Sequence, residues 1–374
     1  MLPLNPEWIL DRLSRTEILR SFEFEPTTLA LFDEAANRIN TSPGLRSSFA
    51  QEAGEFFDHR LTQSAFPSDW GWCALVVACG FRNMQEEHRM RGVPVNFTAS
   101  TARDLARWVK SFAEGTNVLG KFPLSWFRNH LHRGLIEIGR LQFVPAKFSA
   151  NCRVYTKRGG ETGIVALASG GISCSPDGWL GGGGFETGFR ESRSDVVAHP
   201  VDLTNGQIKS TPVTLNLAEW DLRLEKGDPI LDVHIPAGDP LRASLCTQSF
   251  DQAELLFGST TPGLAWRAFS CTSWMLDREV HGCLPRTSGI VAFGERFQAL
   301  PAAESDSNQF LERVLQKVGE PGTFENRTSL QRAAQDHLSR GGFFRTTSGF
   351  ILRKDRPLEA VATFLPPLSQ LQAS

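Results

Sequence analysis

Two residues in the second half of the chain have the types and spacing that proton transfer requires. Asp232 and His234 lie in the segment ILDVHI, whose alternation of apolar and polar residues predicts a buried β-strand. Side chains two positions apart on a strand share a face, so the two residues can form a His–Asp pair. Because histidine titrates near neutral pH, His234 is the leading candidate for a general base, and a structural core histidine is the alternative.

The residues after His234 predict a turn that can bind a ligand through its backbone. Pro236–Gly238 end the strand, and apolar residues at helical spacing from Leu245 to Phe257 predict a helix after Asp239 and Pro240. Backbone N–H groups at such a helix N-terminus can hold a phosphate or polarise a carbonyl. The candidate binding residues are Ile235, Ala237, Gly238, Leu241, Arg242 and Ala243, with Arg242 adding positive charge.

Three further side chains are candidates for the chemistry. Glu137 stands in the apolar strand LIEIGRLQF, so burial without a partner would raise its pKa, whereas an ion pair with Arg140 or another arginine would make it structural. A second strand is predicted over residues 265–276, where Ser273 could hydrogen bond a leaving group or the substrate, unless it is a structural serine. Cys271 in the same strand could act as a nucleophile with His234, although its apolar surroundings give no sign of a lowered pKa.

The periodicity of apolar residues divides the chain into a helical and a strand-rich part. Residues 1–118 predict a domain of five or six helices, with start signals at Pro6, Pro26, Pro43, Asp69, and Thr98 or Ser100. Loop composition places the boundary near residues 115–122. Residues 119–374 begin with a short helix and continue in successive strand patterns.

The strand-rich part also contains a Gly-rich stretch and a helical C-terminal segment. Residues 170–195 predict an exposed hairpin or insertion loop, with a lid over a site as the alternative. Helices are predicted over 308–319 and 328–342, the second beginning at a Thr328 capping box and ending at Gly341, and a strand follows. The expected fold class is α+β, with a helical N-terminal domain followed by a mixed β-sheet flanked by helices.

Composition excludes several classes of partner. The chain has 39 basic and 41 acidic residues and a net charge of −2, which gives no general field for attracting nucleic acid. The longest apolar run is about half of the roughly 20 residues that a membrane span needs, and no basic-then-apolar leader is present. Seven cysteines without C-x-x-C spacing predict reduced, buried thiols and a cytoplasmic location, and no histidine or cysteine spacing predicts a metal site.

Several separated strings resemble one family. GLIEIGRLQF (134–143), LDVHIPAG (231–238), FSCTSWMLD (269–277) and TSLQRA (328–333) resemble bacterial acyltransferase-domain proteins that pair a helical N-acyltransferase N-terminal domain with a GNAT-like C-terminal domain; residues 91–109 resemble the helical half. The resemblance implies a GNAT-like N-acyltransferase that uses acyl-CoA or acetyl-CoA, or an acyl carrier protein, as donor. An amine-bearing small molecule would be the acceptor, and no metal, nucleic acid or membrane is expected.

The chain departs from the usual GNAT pattern at two points. GNAT enzymes usually carry a Q/R-x-x-G-x-G/A loop, whereas this chain has PAGDPLRA, with one glycine and two prolines. Its only tyrosine, Tyr155, stands in another predicted strand, so the tyrosine that often serves as general acid has no obvious counterpart. Two alternatives therefore stay open: a catalytically inactive GNAT-like ligand-binding or protein-interaction module, and a thiol-dependent hydrolase that uses Cys271.

Overall fold

The computed structural model describes residues 6–58, 66, 68–115, 121–159, 163–260, 265–302, 308–315 and 328–353 of the chain. A helical region is followed by a mixed β-sheet with flanking helices, which confirms the predicted α+β fold class. The helices are α1 (Glu7–Leu10), α2 (Arg12–Ser21), α3 (Pro26–Asn40), α4 (Pro43–Phe57), α5 (Trp70–Ala78), α6 (Phe81–Met90), α7 (Val95–Ala113), α8 (Leu124–His132), α9 (Ala243–Thr260), α10 (Arg278–Gly282), α11 (Gly289–Gly294), α12 (Asn308–Phe310) and α13 (Ser329–Ser339). A 3₁₀ turn spans Trp274–Leu276, and a π-helical turn spans Leu311–Leu315.

The strands form one large and three small sheets. They are β1 (Ile136–Ile138), β2 (Leu141–Lys147), β3 (Cys152–Lys157), β4 (Ile164–Ala168), β5 (Ser173–Cys174), β6 (Phe185–Glu186), β7 (Phe189–Glu191), β8 (Asp195–Ala198), β9 (Pro200–Val201), β10 (Val213–Asn216), β11 (Trp220–Leu224), β12 (Pro229–His234), β13 (Ala268–Ser273), β14 (Gln298–Ala299) and β15 (Thr347–Leu352). The large sheet has the order β1-β2-β12-β13-β15-β14. The small sheets are built by β3–β11, which lie between β2 and β12 in sequence.

The helical region packs around one apolar core. Phenylalanine side chains from α3, α4, α6 and the α2–α3 connection meet in it without solvent exposure. Phe127 and Leu131 of α8 belong to the same core, although the expected boundary near residue 118 assigns that helix to the second part of the chain. Helix α8 is thus packed as a member of the helical region.

Two helix starts differ from those expected. The segment after Pro6 forms two helices, because Asp11 takes an extended backbone conformation and accepts a hydrogen bond from the N–H of Ser14 (2.8 Å). Helix α7 begins at Val95, after Pro94, and not at Thr98 or Ser100. Thr98 lies in the first turn, where its hydroxyl donates to the carbonyl oxygen of Pro94 (3.4 Å) and is 3.0 Å from Nδ1 of His88. The Asp69 start and the Thr328 capping box are confirmed.

Helix α9 connects the two parallel strands at the centre of the large sheet. Strands β12 and β13 pair in parallel, and the other neighbours in this sheet are antiparallel. Parallel neighbours require a crossover connection, which the predicted strand–turn–helix–strand segment supplies. Phe250 and Phe257 of α9 pack against Phe143, Leu231 and Phe269 on one face of the sheet.

The two central strands separate at their carboxyl ends. Their paired register covers three positions and ends at Asp232 and Ser270. Strand β12 nevertheless continues to His234, paired with Gln142 of β2, and β13 continues to Ser273, paired with β15. A gap therefore opens in the middle of the sheet, where backbone groups of two adjacent strands face each other without ladder hydrogen bonds.

The Gly-rich stretch forms short strands and contributes side chains to a buried cluster. It contains β5, β6 and β7, and its Cys174 and Phe185 pack with Ile208. A side chain at Gly178 or Gly184 would collide with neighbouring backbone, which explains why glycine stands at both positions.

All seven cysteines are thiols, and six of them are buried. Within the described ranges, no helix combines the length and the apolar character needed to cross a membrane.

Candidate functional site

A pocket of about 650 Å³ lies between the helical region and the carboxyl ends of β12 and β13. The helical side is formed by α7, α8 and Pro123. The sheet side is formed by residues 233–238 and 272–275, which border the gap between the two strands, together with Arg140 and Gln142. Gln309 and Arg313 complete the wall. The pocket therefore joins both halves of the chain at the point where the sheet is open.

His234 lines this pocket, and Asp232, which lies outside the lining, is adjacent to it, so the predicted His–Asp pair is present at the edge of the site. Nε2 of His234 lies 3.2 Å from Oδ2 of Asp232, and about one third of each side chain is exposed. The imidazole packs against the indole of Trp126, with ring centroids 4.8 Å apart and an interplanar angle of 75°. The imidazole thus lies between the carboxylate of Asp232 and the indole of Trp126.

Asp104 anchors the helical wall of the pocket. Its Oδ2 accepts a hydrogen bond from Nε1 of Trp126 (3.0 Å) and lies 3.1 Å from Nε2 of His130, while its Oδ1 accepts one from Arg107 (3.1 Å). Burial alone would raise the pKa of Asp104, but the adjacent His130 and Arg107 outweigh it and hold this pKa well below the usual range. The ionised carboxylate thus fixes the indole that packs against His234.

Sequence reasoning missed this helical wall. Asp104 and Trp126 lie in helices whose amphipathic patterns were used only to place the helices. The available signal was the helical spacing of Thr101, Asp104 and Trp108, which puts a carboxylate on a largely apolar stripe. A buried carboxylate requires partners, and this requirement would have marked the position as a site.

Glu137 joins the helical region to the sheet. Its carboxylate forms an ion pair with Arg107 of α7 and accepts a hydrogen bond from Nε2 of Gln142 (2.9 Å), and its backbone N–H donates to Oγ1 of Thr101 (2.9 Å). Burial raises the pKa of Glu137, although the Arg107 guanidinium opposes this shift. The partner is thus Arg107 and not Arg140, and Glu137 lies behind the pocket wall rather than in it.

The predicted binding residues fall into two groups. Ile235, Ala237 and Gly238 line the pocket, and Gly238 has a φ of 136°, a conformation that side chains rarely adopt. Leu241, Arg242 and Ala243 lie outside the lining. Leu241 is buried, whereas Arg242 and Ala243 are exposed at the start of α9.

Cys271 and Ser273 lie in different surroundings: Cys271 is in the core, and Ser273 is in the pocket lining. Cys271 is fully buried in the core beneath α9, on the face of the sheet opposite to His234, and burial raises the pKa of its thiol well above the usual value. The fold therefore does not bring this thiol and the imidazole together. Ser273 lines the pocket, but its Oγ accepts a hydrogen bond from the N–H of Met275 (3.2 Å) and thereby caps the 3₁₀ turn.

Two other features named from the sequence lie outside the pocket lining. Tyr155 is buried in the small sheets, in a cluster with Leu167 and Val196. The Gly-rich stretch contributes no residue to the lining among the residues that the structure describes.

Known proteins share the fold over most of the chain. A search of curated protein sequences gave no significant match. An acyltransferase solved in complex with decanoyl-CoA and teicoplanin has a TM-score of 0.56 and 18% identity, covering 90% of this chain and 87% of that chain. An acyltransferase variant in complex with octanoyl-CoA has a TM-score of 0.57 and 18% identity, covering 95% of this chain and 90% of that one.

At this level of identity, the likeness to these structures shows a common fold. The sequence model of the GNAT-like C-terminal domain matches residues 135–351, which is more than half of the chain and includes both strands that border the gap. The chain therefore belongs to the family that carries the GNAT-like C-terminal domain.

Proposed function

We propose that this protein is an N-acyltransferase that moves an acyl group from acyl-CoA to the amine of a small molecule. The observation that carries this proposal is a pocket at which the gap between β12 and β13, the turn at 235–238 and His234, paired with Asp232, come together. The structural neighbours were solved with decanoyl-CoA and octanoyl-CoA, which supports an acyl-CoA donor.

The gap in the sheet suits a thioester donor. Backbone N–H and C=O groups that lack ladder partners can hydrogen bond the amide-containing arm of the donor as a neighbouring strand would. The same N–H groups can polarise the thioester carbonyl and stabilise the oxyanion that develops on it. The turn after β12 then lies where the phosphates of the donor would be held, ahead of the N-terminus of α9.

Proton transfer is assigned to His234. The lone pair of the acceptor amine attacks the thioester carbonyl carbon and forms the C–N bond, while the imidazole of His234 takes the proton that the amine loses. Collapse of the tetrahedral intermediate breaks the C–S bond and releases the CoA thiolate, which is reprotonated by the imidazolium or by water. Asp232 orients the ring and stabilises the imidazolium.

The helical region forms the acceptor side of the pocket. Trp108 and Trp126 present aromatic surface opposite the strand ends, and Ser111 adds a hydroxyl. Such a wall favours an acceptor with apolar or ring-shaped surface around its amine. In this account α1–α8 play the part of an N-acyltransferase N-terminal domain.

A non-catalytic ligand-binding module is the second candidate. Two observations favour it: no tyrosine lines the described pocket, so a phenolic general acid is lacking, and the turn contains two prolines that donate no N–H. Such a protein would bind acyl-CoA without turning it over.

Two measurements separate the candidates. Thermal shift of the full chain with acetyl-CoA, octanoyl-CoA and an acylated carrier protein identifies the donor, since a ligand at a hundred times its dissociation constant stabilises by about 2.7 kcal/mol. Release of CoA thiol in the presence of a panel of amines then measures transfer. Donor-dependent stabilisation with amine-dependent thiol release supports the transferase, whereas stabilisation without thiol release supports the binding module. Lack of stabilisation by every donor contradicts both.

A further inference from the structure

Arg140 connects three elements around the turn that follows β12. It lies in the connection between β1 and β2, and its Nε donates to the carbonyl oxygen of Asp239 (2.6 Å) while Nη1 donates to that of Pro236 (2.9 Å). Its backbone N–H donates to Oγ of Ser249 on α9 (2.9 Å). One residue thus ties the β1–β2 hairpin, the turn and the crossover helix together.

The turn contains few hydrogen bonds of its own. Within residues 236–242, the one backbone–backbone hydrogen bond joins the N–H of Arg242 to the carbonyl of Pro240. Gly238 leaves the chain conformational freedom at the centre of the turn. The two carbonyls that Arg140 holds lie on either side of Gly238, so the guanidinium fixes both ends of a segment that would otherwise sample several conformations.

Among the described residues, no carboxylate lies within ion-pair distance of the Arg140 guanidinium, although Asp239 and Glu137 are near enough to favour its charged form. The guanidinium donates its two hydrogen bonds to neutral backbone carbonyls, and it is half-buried in the pocket lining. Burial lowers the pKa of Arg140, which reflects the cost of holding this charge with little water around it. An anion bound at the turn would offset that cost.

We propose that Arg140 is a positioning residue for the acyl donor: it holds the turn at residues 236–239 in the conformation that binds the pyrophosphate of acyl-CoA and supplies positive charge there. This inference rests on the proposed function, in which acyl-CoA is the donor. Arg140 would thereby replace the second glycine and the additional backbone N–H groups that the sequence PAGDPLRA lacks.

This role can be tested by measuring, by calorimetry, the affinity of the full chain for two ligands. Octanoyl-CoA carries the pyrophosphate, and S-octanoylpantetheine carries the same thioester without it. Arg140→Gln removes the charge, and Arg140→Lys keeps the charge but loses the two-armed contact to the carbonyls. Arg158→Gln is the matched control, because Arg158 pairs with Asp221 on the surface of the small sheets, outside the pocket lining.

Both Arg140 variants should bind octanoyl-CoA roughly ten- to a hundredfold more weakly than the parent, as expected for loss of hydrogen bonds made by a charged group. Binding of S-octanoylpantetheine should stay within about twofold, and Arg158→Gln should behave as the parent. Parent-like octanoyl-CoA binding by the Gln variant, or equal losses for both ligands, would overturn the proposal. If the Lys variant alone binds octanoyl-CoA like the parent, the positioning role is overturned, and Arg140 contributes only its positive charge.

Hydrogen exchange in the unmutated protein gives a second test that does not depend on how the variants fold. The amides of residues 237–239 should become protected on addition of octanoyl-CoA but not of S-octanoylpantetheine. Unchanged exchange with bound octanoyl-CoA would contradict the inference, whereas a parent protein that binds neither ligand would contradict the proposed function itself.

Discussion

At the residue scale, the neighbours of a titratable side chain determine whether it faces the pocket or is held in a structural ion pair. His234 and Glu137 both interrupt apolar strands, yet His234 faces the pocket beside Asp232, whereas Glu137 is paired with Arg107 behind the wall. The period of a strand shows which side chains share a face, and the Asp232–His234 pair followed from it. It does not show what packs against that face, which is why Arg107 and Trp126 were missed.

His88, a buried histidine in α6, allows a prediction about stability. Burial, with smaller contributions from the nearby positive charges of Arg91 and His130, lowers the pKa of His88 from 6.5 to about 4. The unfolded chain therefore binds a proton more readily than the folded protein between these values. The contribution of neutral His88 is fully present above about pH 6.5 and is lost progressively as the pH falls toward 4, by up to about 3 kcal/mol.

Denaturant unfolding of the parent and His88→Gln across pH 4–7 measures this effect. The free energy of unfolding of the parent should fall more steeply with acidification than that of the variant. Identical slopes would mean that His88 is not held neutral by burial.

At the element scale, the connection from β12 through α9 to β13 forms the donor side of the proposed site. The alternation of ILDVHI and the helical spacing after it were enough to predict strand, turn, helix and parallel partner. The sequence could not show that β12 and β13 stop pairing after Asp232 and Ser270, because each strand remains paired to its other neighbour. Nor could it show that Arg140 supports the turn, since this contact spans 96 to 99 residues of sequence.

Gly238→Val tests the turn. The φ of 136° is strained for valine, and the new side chain would project into space that no described atom occupies within 4 Å. We expect the dissociation constant for octanoyl-CoA to rise, while the turnover of donor that is already bound changes less. Gly227→Val is the matched control, because Gly227 also has positive φ (96°) and open surroundings but lies outside the pocket lining. Equal donor affinity in the two variants would remove the turn from the binding site.

At the scale of the whole molecule, two packed halves meet at one pocket. Apolar periodicity predicted the change from helical to strand-rich sequence, but the assignment of α8 depends on packing that no local pattern reveals. Phe122, Leu124, Phe127 and Leu131 complete the core of α1–α7, and Trp126 on the same helix reaches the pocket. The proposed acceptor wall thus depends on a helix at the junction of the two halves.

Truncation tests this packing. A fragment of residues 1–134 should unfold cooperatively at a higher temperature than a fragment of residues 1–118, which lacks the four apolar side chains of that segment. Removal of a single large buried side chain typically costs about 2–5 kcal/mol, so the difference should be large. Circular dichroism at 222 nm during heating measures it, and equal transition temperatures would show that α8 is not needed by the helical core.

The role of His234 in acyl transfer is tested most directly by amine-dependent release of CoA from octanoyl-CoA by the parent and by His234→Ala, with binding of octanoyl-CoA measured on the same samples. Turnover should fall by roughly 10²–10⁴ while donor affinity changes little, because the base acts on the proton of the acceptor. His337→Ala, on α13 and outside the pocket lining, should leave both unchanged. Full turnover in His234→Ala with an unaltered pH dependence would contradict the assignment of the base, and a parent protein that does not bind octanoyl-CoA would contradict acyl transfer at this pocket.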